Sequence, residues 1–157
     1  MKKTNPPYYD FFPEYTSFRE LVTDISGKYA NRVAYSYRVN PNDPEPVNVT
    51  FDDFLADVRA VGANAIDKGL VGEKVAVVGK LSYPWVCLYF AMLSVGAVLV
   101  PLDPDWSGDE LVATIEKAGC AVVFHDKAVA EKLSGLSESV LKLVMSGEGE
   151  GTFENFR

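Results

Sequence analysis

Two cysteines, Cys87 and Cys120, and one histidine, His125, are all that the 157-residue sequence offers as soft metal ligands. They are too few for a disulfide framework or a structural zinc site. Both cysteines lie in apolar segments, where a free thiol behaves as a small hydrophobe. His125 has no G-x-S-x-G sequence to join in a triad, so it reads as a loop or strand-end residue. Positive charge is scarce as well. Fifteen Lys and Arg stand against twenty-two Asp and Glu, a formal net charge of −7. That excludes the basic face which nucleic acid demands, and it disfavours an anionic membrane surface. The start, MKKTNPPYYDFFPEY, has no apolar core and no small-residue cleavage site, so it is not a signal peptide. A cytoplasmic chain is expected, and the sequon Asn48-Val49-Thr50 is then fortuitous.

Charge is also missing from one long stretch. Residues 81–102, LSYPWVCLYFAMLSVGAVLVPL, carry none. Eighteen or more apolar residues are the usual mark of a membrane-spanning helix. This run divides instead. Ser82 suits a helix N-cap, Pro84 is tolerated in a first turn, and Gly96 ends the helix before AVLVP begins a strand. No excess of Lys or Arg flanks either end. The expectation is a buried helix feeding a buried strand, not a transmembrane segment.

What is present is a regular alternation. Ser17-Phe18-Arg19-Glu20, Thr50-Phe51-Asp52-Asp53 and Ser107-Gly108-Asp109-Glu110 each place a hydroxyl three residues before a carboxylate, the pattern of a capping box. Each opens a helical apolar stripe. The clearest runs through Phe51, Phe54, Leu55, Val58, Val61, Ala65 and Ile66, with Gly69 beyond its end. Val33–Arg38 and Val47–Val49 predict a hairpin around the turn-rich PNDPEP. Four further runs, Val75–Val78, Ala97–Val100, Ala121–Phe124 and Val140–Val144, start 22, 24 and 19 residues apart. Runs apolar on both faces belong to a parallel sheet covered on both sides. The predicted fold is α/β: a doubly wound, mostly parallel sheet with helices on both faces, plus an N-terminal helix and hairpin. Residues 1–16 read as an N-terminal arm, 17–145 as the folded unit and 146–157 as a polar, Gly-rich linker or tail.

Three blocks in order carry a resemblance. VTFDDFLADVRAVGANAIDKGLVGEKVAVV, SYPWVCLYFAMLSVGAVLVPLDP and DPDWSGDELVATIEKAGCAVVF resemble successive units of the adenylate-forming superfamily. That superfamily includes acyl-CoA synthetases, the adenylation domains of peptide synthetases, and luciferases. The second block ends in the family's V-P-L-D-P. Departures such as Glu73-Lys74 and Ser94-Val95-Gly96 fall at variable positions. The lead-in FRELVTDISGKYANRVAYSYR resembles the start of long-chain acyl-CoA synthetases, and peptide synthetases share much of it.

The resemblance implies a parent enzyme that activates a carboxylic acid with ATP and Mg to an acyl-adenylate and then passes it to a thiol, commonly coenzyme A. It also implies that the Ser/Thr/Gly-rich phosphate loop, the T-G-D and Y-G-x-T-E segments and the catalytic lysine lie outside these 157 residues. The expectation is an N-terminal subdomain, inactive alone, whose partner is the remainder of its own enzyme. No catalytic, cofactor-binding or metal-binding residue is expected on the chain itself. Gly79-Lys80-Leu81-Ser82 follows a strand and opens a helix, but a P-loop needs a glycine where Lys74 stands. Glu148 and Glu150, set among Gly147, Gly149 and Gly151, would repel phosphate.

The remaining pocket candidates lie beyond the carboxyl ends of strands, where open α/β sheets bind ligands: Lys80, Ser82, Tyr83 and Asp103. Two other readings stay open, a stand-alone small-ligand or partner-binding module and a peptide-synthetase adenylation domain. A subdomain parted from its enzyme exposes a face normally covered. The expected outcome of size-exclusion runs at several concentrations is self-association, and a clean monomer at every concentration would count against it.

Overall fold

The computed structural model describes residues 13–145 and 156–157. Most of the predicted arm and residues 146–155 of the predicted linker lie outside the described residues. Helix α1 spans Phe18–Tyr29 and is followed by strands β1 (Val33–Tyr37) and β2 (Val47–Thr50), which pair antiparallel as the predicted hairpin. Next come α2 (Phe51–Asp67), β3 (Lys74–Val78), α3 (Tyr83–Ser94), β4 (Val98–Leu102), α4 (Gly108–Ala118) and β5 (Val122–His125). A 3-10 helix, Lys127–Leu133, then leads to β6 (Leu141–Val144). The last four strands form one parallel sheet in the order β4-β3-β5-β6.

The helix starts follow local chemistry. Thr50 and Asp53 exchange side-chain and backbone hydrogen bonds, as do Ser107 and Glu110, so two full capping boxes open α2 and α4. At α1 the pattern is split. Ser17 Oγ accepts from Glu20 N, but the Glu20 carboxylate accepts from Thr16 N and Thr16 Oγ1. The first amides of α2 find backbone acceptors too: Phe51 N–H donates to Arg32 O and Asp52 N–H to Ala30 O. The α1–β1 turn is thereby tied to the head of α2. Gly96 sits at φ 81°, a left-handed turn open to glycine at little cost, and it ends the α3 segment where the sequence places the break.

Alternation along the strands sorts the core into two layers. Val75 and Val77 of β3, with Val122, Phe124 and Leu143, face α1, α2 and α3. Ala76, Val78 and Val123 face α4 and the 3-10 helix, packing on Leu111, Ile115, Val129 and Leu133. The connection from β3 to β4 moves one way through α3 on the first face. The connection from β4 to β5 returns across β3 through α4 on the other, so both crossovers keep one hand.

Helix α3 is apolar almost all round because it has three neighbours. Cys87, Leu88, Ala91 and Met92 are fully buried in the first layer, while Phe90 meets Phe18 of α1 and Phe54 of α2. Phe90 thus packs between helices and not on the sheet side of α3. No helix among the described residues is long and apolar enough to cross a membrane.

Among the described residues strand β4 is an edge of the sheet. Val98 N–H donates to Glu73 O at 2.8 Å, so Val98, Val100 and Leu102 turn their backbone groups toward β3. Leu99 and Pro101 then turn theirs outward. Pro101, with no N–H, costs the ladder nothing there and leaves the outer edge short of a donor.

The caps give acid sensitivity a sign. Hydrogen bonds from the Thr50 hydroxyl, then its amide, hold the Asp53 carboxyl below its ordinary range, and Ser107 does the same for Glu110. A carboxyl lowered in the folded state stabilises above its unfolded pKa, about 4, and that stability is lost as pH falls through the lowered value. Urea midpoints should therefore fall from pH 7 to pH 3. The fall should be smaller in an Asp53→Asn/Glu110→Gln variant, and an equal fall would contradict the cap assignment.

Candidate functional site

Strands β3 and β5 are neighbours whose outgoing connections part in opposite directions, toward β4 and toward β6. Their carboxyl ends therefore flank a topological switch point, the usual ligand crevice of an open α/β sheet. Gly79, Lys80 and Leu81 lead out of β3, and Asp126 follows His125 at the end of β5. The crevice is filled from within. Lys80 N–H donates to Asp126 Oδ2 at 2.8 Å. A Cβ placed on Gly79 would lie 2.7 Å from Asp126 Cγ and would also overlap Met145 Cε. Asp126 stands at the N-cap of the 3-10 helix yet makes no side-chain cap bond there, and its carboxylate is turned to Lys80. His125 is buried, and its Nδ1 lies 2.9 Å from Asp126 O. A carbonyl only accepts, so that nitrogen carries the proton.

The four residues anticipated from the sequence have separate surroundings. Lys80 is exposed at the crevice mouth. Ser82 caps α3, its Oγ accepting from Trp85 N. Tyr83 is buried beneath the hairpin. Its ring stacks on Tyr37 at 5.6 Å and 5°, and its hydroxyl donates to Asp57 Oδ2 at 2.6 Å. Burial first, then the bond to Asp57, pushes this phenol well above its ordinary range. Arg157 Nη1 reaches the same Asp57 oxygen at 3.2 Å. Asp103 is exposed and accepts from Asp105 N at 2.9 Å, shaping the turn after β4. Lys132 braces that turn by donating to the Pro104 and Trp106 carbonyls, both at 2.8 Å. The structure thus brings Lys80 and Ser82 to the switch point, while Tyr83 points under the hairpin and Asp103 serves its own loop.

Asp126, Met145 and Lys132 escaped the sequence reading. The available signal was Asp126 itself, a carboxylate directly after an apolar strand.

These residues do not fit a nucleotide phosphate. The Lys80 amide is already taken, Pro84 has no N–H, and the Trp85 amide is used by Ser82. The Asp126 carboxylate would repel an anion in the same crevice. Among the described residues no group of three or more His, Cys, Asp or Glu is placed to hold a metal ion.

With this geometry in place, comparison with known proteins identifies the chain: it belongs to the AMP-binding enzyme family, whose model matches residues 23–155. A curated relative, the long-chain-fatty-acid–CoA ligase FadD15 of Mycobacterium bovis, is 29% identical over 142 residues. The alignment covers 80% of this chain and 23% of that protein, so the chain spans about a quarter of the relative's length. Among solved structures, the luciferase-like enzyme of the Zophobas morio mealworm superposes with a TM-score of 0.73 at 20% identity, over 93% of this chain and 35% of that one. The nonribosomal peptide synthetase FmoA3 gives 0.71 at 16% identity, over 85% of this chain and 14% of that one. The likeness to these two structures is one of fold.

The crevice packing makes a mutational prediction. Gly79→Ala must displace Asp126 and break its bond to Lys80 N, a cost of about 1–3 kcal/mol for inserting a methyl into a filled site. Urea denaturation of Gly79→Ala beside the parent chain measures it, and unchanged stability would show that the crevice is looser than described.

Proposed function

We propose that this chain forms the N-terminal portion of an AMP-forming acid–thiol ligase of the acyl-CoA synthetase branch. In this reading the complete enzyme adenylates a fatty acid with ATP and Mg and then transfers the acyl group to coenzyme A. The observation that carries the proposal is the family match over residues 23–155, with a fatty-acid–CoA ligase among the relatives. The chain's own part is architectural. A crevice already filled by Asp126, Gly79 and Met145 leaves adenylate chemistry to other segments. Lys80 and Asp103, exposed beyond the ends of β3 and β4, are the two early candidates able to meet substrate or the rest of the enzyme. The outer edge of β6 and the half-exposed Leu141 give the expected self-association a place. A peptide-synthetase adenylation domain is the second reading, favoured by the fold shared with FmoA3.

ATP–pyrophosphate exchange separates these outcomes. The 157-residue chain should give none, and the product of the longer reading frame should exchange in the presence of fatty acids. Exchange by the 157-residue chain would overturn the inactive-portion reading. Exchange driven by amino acids and not by fatty acids would move the parent to the peptide-synthetase branch.

A further inference from the structure

A second concavity lies where the first half of α1, the middle and end of α2 and the end of α3 meet. It opens on the surface and has a volume of about 280 Å³. Its lining is chiefly apolar, with Val22, Leu55, Val58 and Val95 among its walls. Helices α2 and α3 end just before β3 and β4 begin, so this cleft lies toward the amino ends of the strands. The switch point, with Lys80 and Asp126, lies at their carboxyl ends.

Two guanidinium groups share this lining, Arg19 of α1 and Arg59 of α2. Both residues are exposed, so a molecule arriving from solvent can reach them. No Asp or Glu lines the cleft, although the chain carries twenty-two of them. Arg19 Nε donates to Ser94 O at 3.2 Å. That bond holds the fork at the cleft and offsets the partial negative charge of the α3 C-terminus. The remaining N–H donors of Arg19, on its two Nη atoms, have no partner among the described residues, and Arg59 makes no hydrogen bond or ion pair there. The ion pairs formed among the described residues, Lys28–Asp24 and Arg157–Asp57, lie elsewhere. A planar fork with free donors matches the oxygens of an oxyanion. Water also satisfies an exposed arginine, but it gains nothing from the apolar walls beside it.

We propose that this cleft is a binding site for a small organic monoanion, its oxyanion head paired with Arg19 and Arg59 and its apolar body held by the valine and leucine walls. The sign follows from two positive charges with no carboxylate beside them. The size follows from the volume. An apolar cavity of about 150 Å³ takes benzene, so about 280 Å³ takes a ring with its charged substituent. One exposed ion pair contributes little by itself, so the binding needs the head and the body together. The site goes beyond the acid-activating reading above. It lies at the other end of the strands, and an anion that cannot be adenylated fits it equally well.

The test uses two probes of like shape, 4-fluorobenzenesulfonate and the neutral 4-fluorobenzenesulfonamide, titrated by ¹⁹F NMR into the 157-residue chain at neutral pH and low salt. The sulfonate should bind tighter by about three- to tenfold, the ratio that one or two partly exposed ion pairs yield. In Arg19→Gln/Arg59→Gln its affinity should fall to that of the sulfonamide. Lys117→Gln/Lys127→Gln removes the same net charge from α4 and the 3-10 helix, on the other face of the sheet, and should leave the preference intact. Ala63→Phe, which fills the cleft from an exposed position on α2, should abolish sulfonate binding, with circular dichroism reporting that each variant remains folded. Failure of the sulfonate to bind the parent chain overturns the proposal. So does equal binding of the two probes, a preference that survives the arginine variant or is lost in the lysine variant, or sulfonate binding that survives a folded Ala63→Phe.

Discussion

Strand β3 sits where neither of its faces can touch water. Val75, Ala76, Val77 and Val78 are all at most 1% exposed, and each of its sides carries a paired neighbour. A strand in that position needs an apolar layer above and below. The first layer recruits α3, and through it α1 and α2. The second recruits α4 and the 3-10 helix. The reversal of chain direction that makes a switch point is the same requirement seen from above, because covering both faces forces successive crossovers onto opposite sides.

The switch point illustrates how a shared fold and a working site can part company. The position is the one at which α/β proteins commonly bind phosphate. Here its donors serve the protein itself: a backbone amide goes to Asp126, another to Ser82, and a proline removes a third. A carboxylate in that place stabilises the end of the sheet and makes it hostile to anions. The same residues that hold the crevice together therefore keep it closed to nucleotide. The arrangement agrees with a chain whose relatives are several times its length.

Much of this was legible in the sequence because it is local. The boxes at Thr50 and Ser107 need only four residues to declare a helix start. The four apolar runs declared a parallel sheet through their spacing, and the structure moves their limits by a residue or two at most. The four Val and Ala residues of β3 also revealed burial on both faces directly. The 3-10 helix was not legible, since Val129 and Leu133 acquire their place only from packing under α4. Tyr83 read as a mouth residue because it follows a strand, yet its helical phase turns it toward Tyr37 and Asp57. Asp126 was missed because it meets Lys80 across 46 residues of chain, through a strand pairing that spacing alone does not specify.

The proline at position 101 has a consequence for how such a sheet grows. With one donor removed from the outward side of β4, a strand arriving there would find a ladder with a missing rung. At the other boundary among the described residues, β6, Lys142 and Val144 both keep their outward amides. Addition is thus polar, in the sense that a crystal face is polar. One margin has lost a donor and the other has kept both of its own, so a strand pairing along β6 would meet a fuller ladder than one pairing along β4.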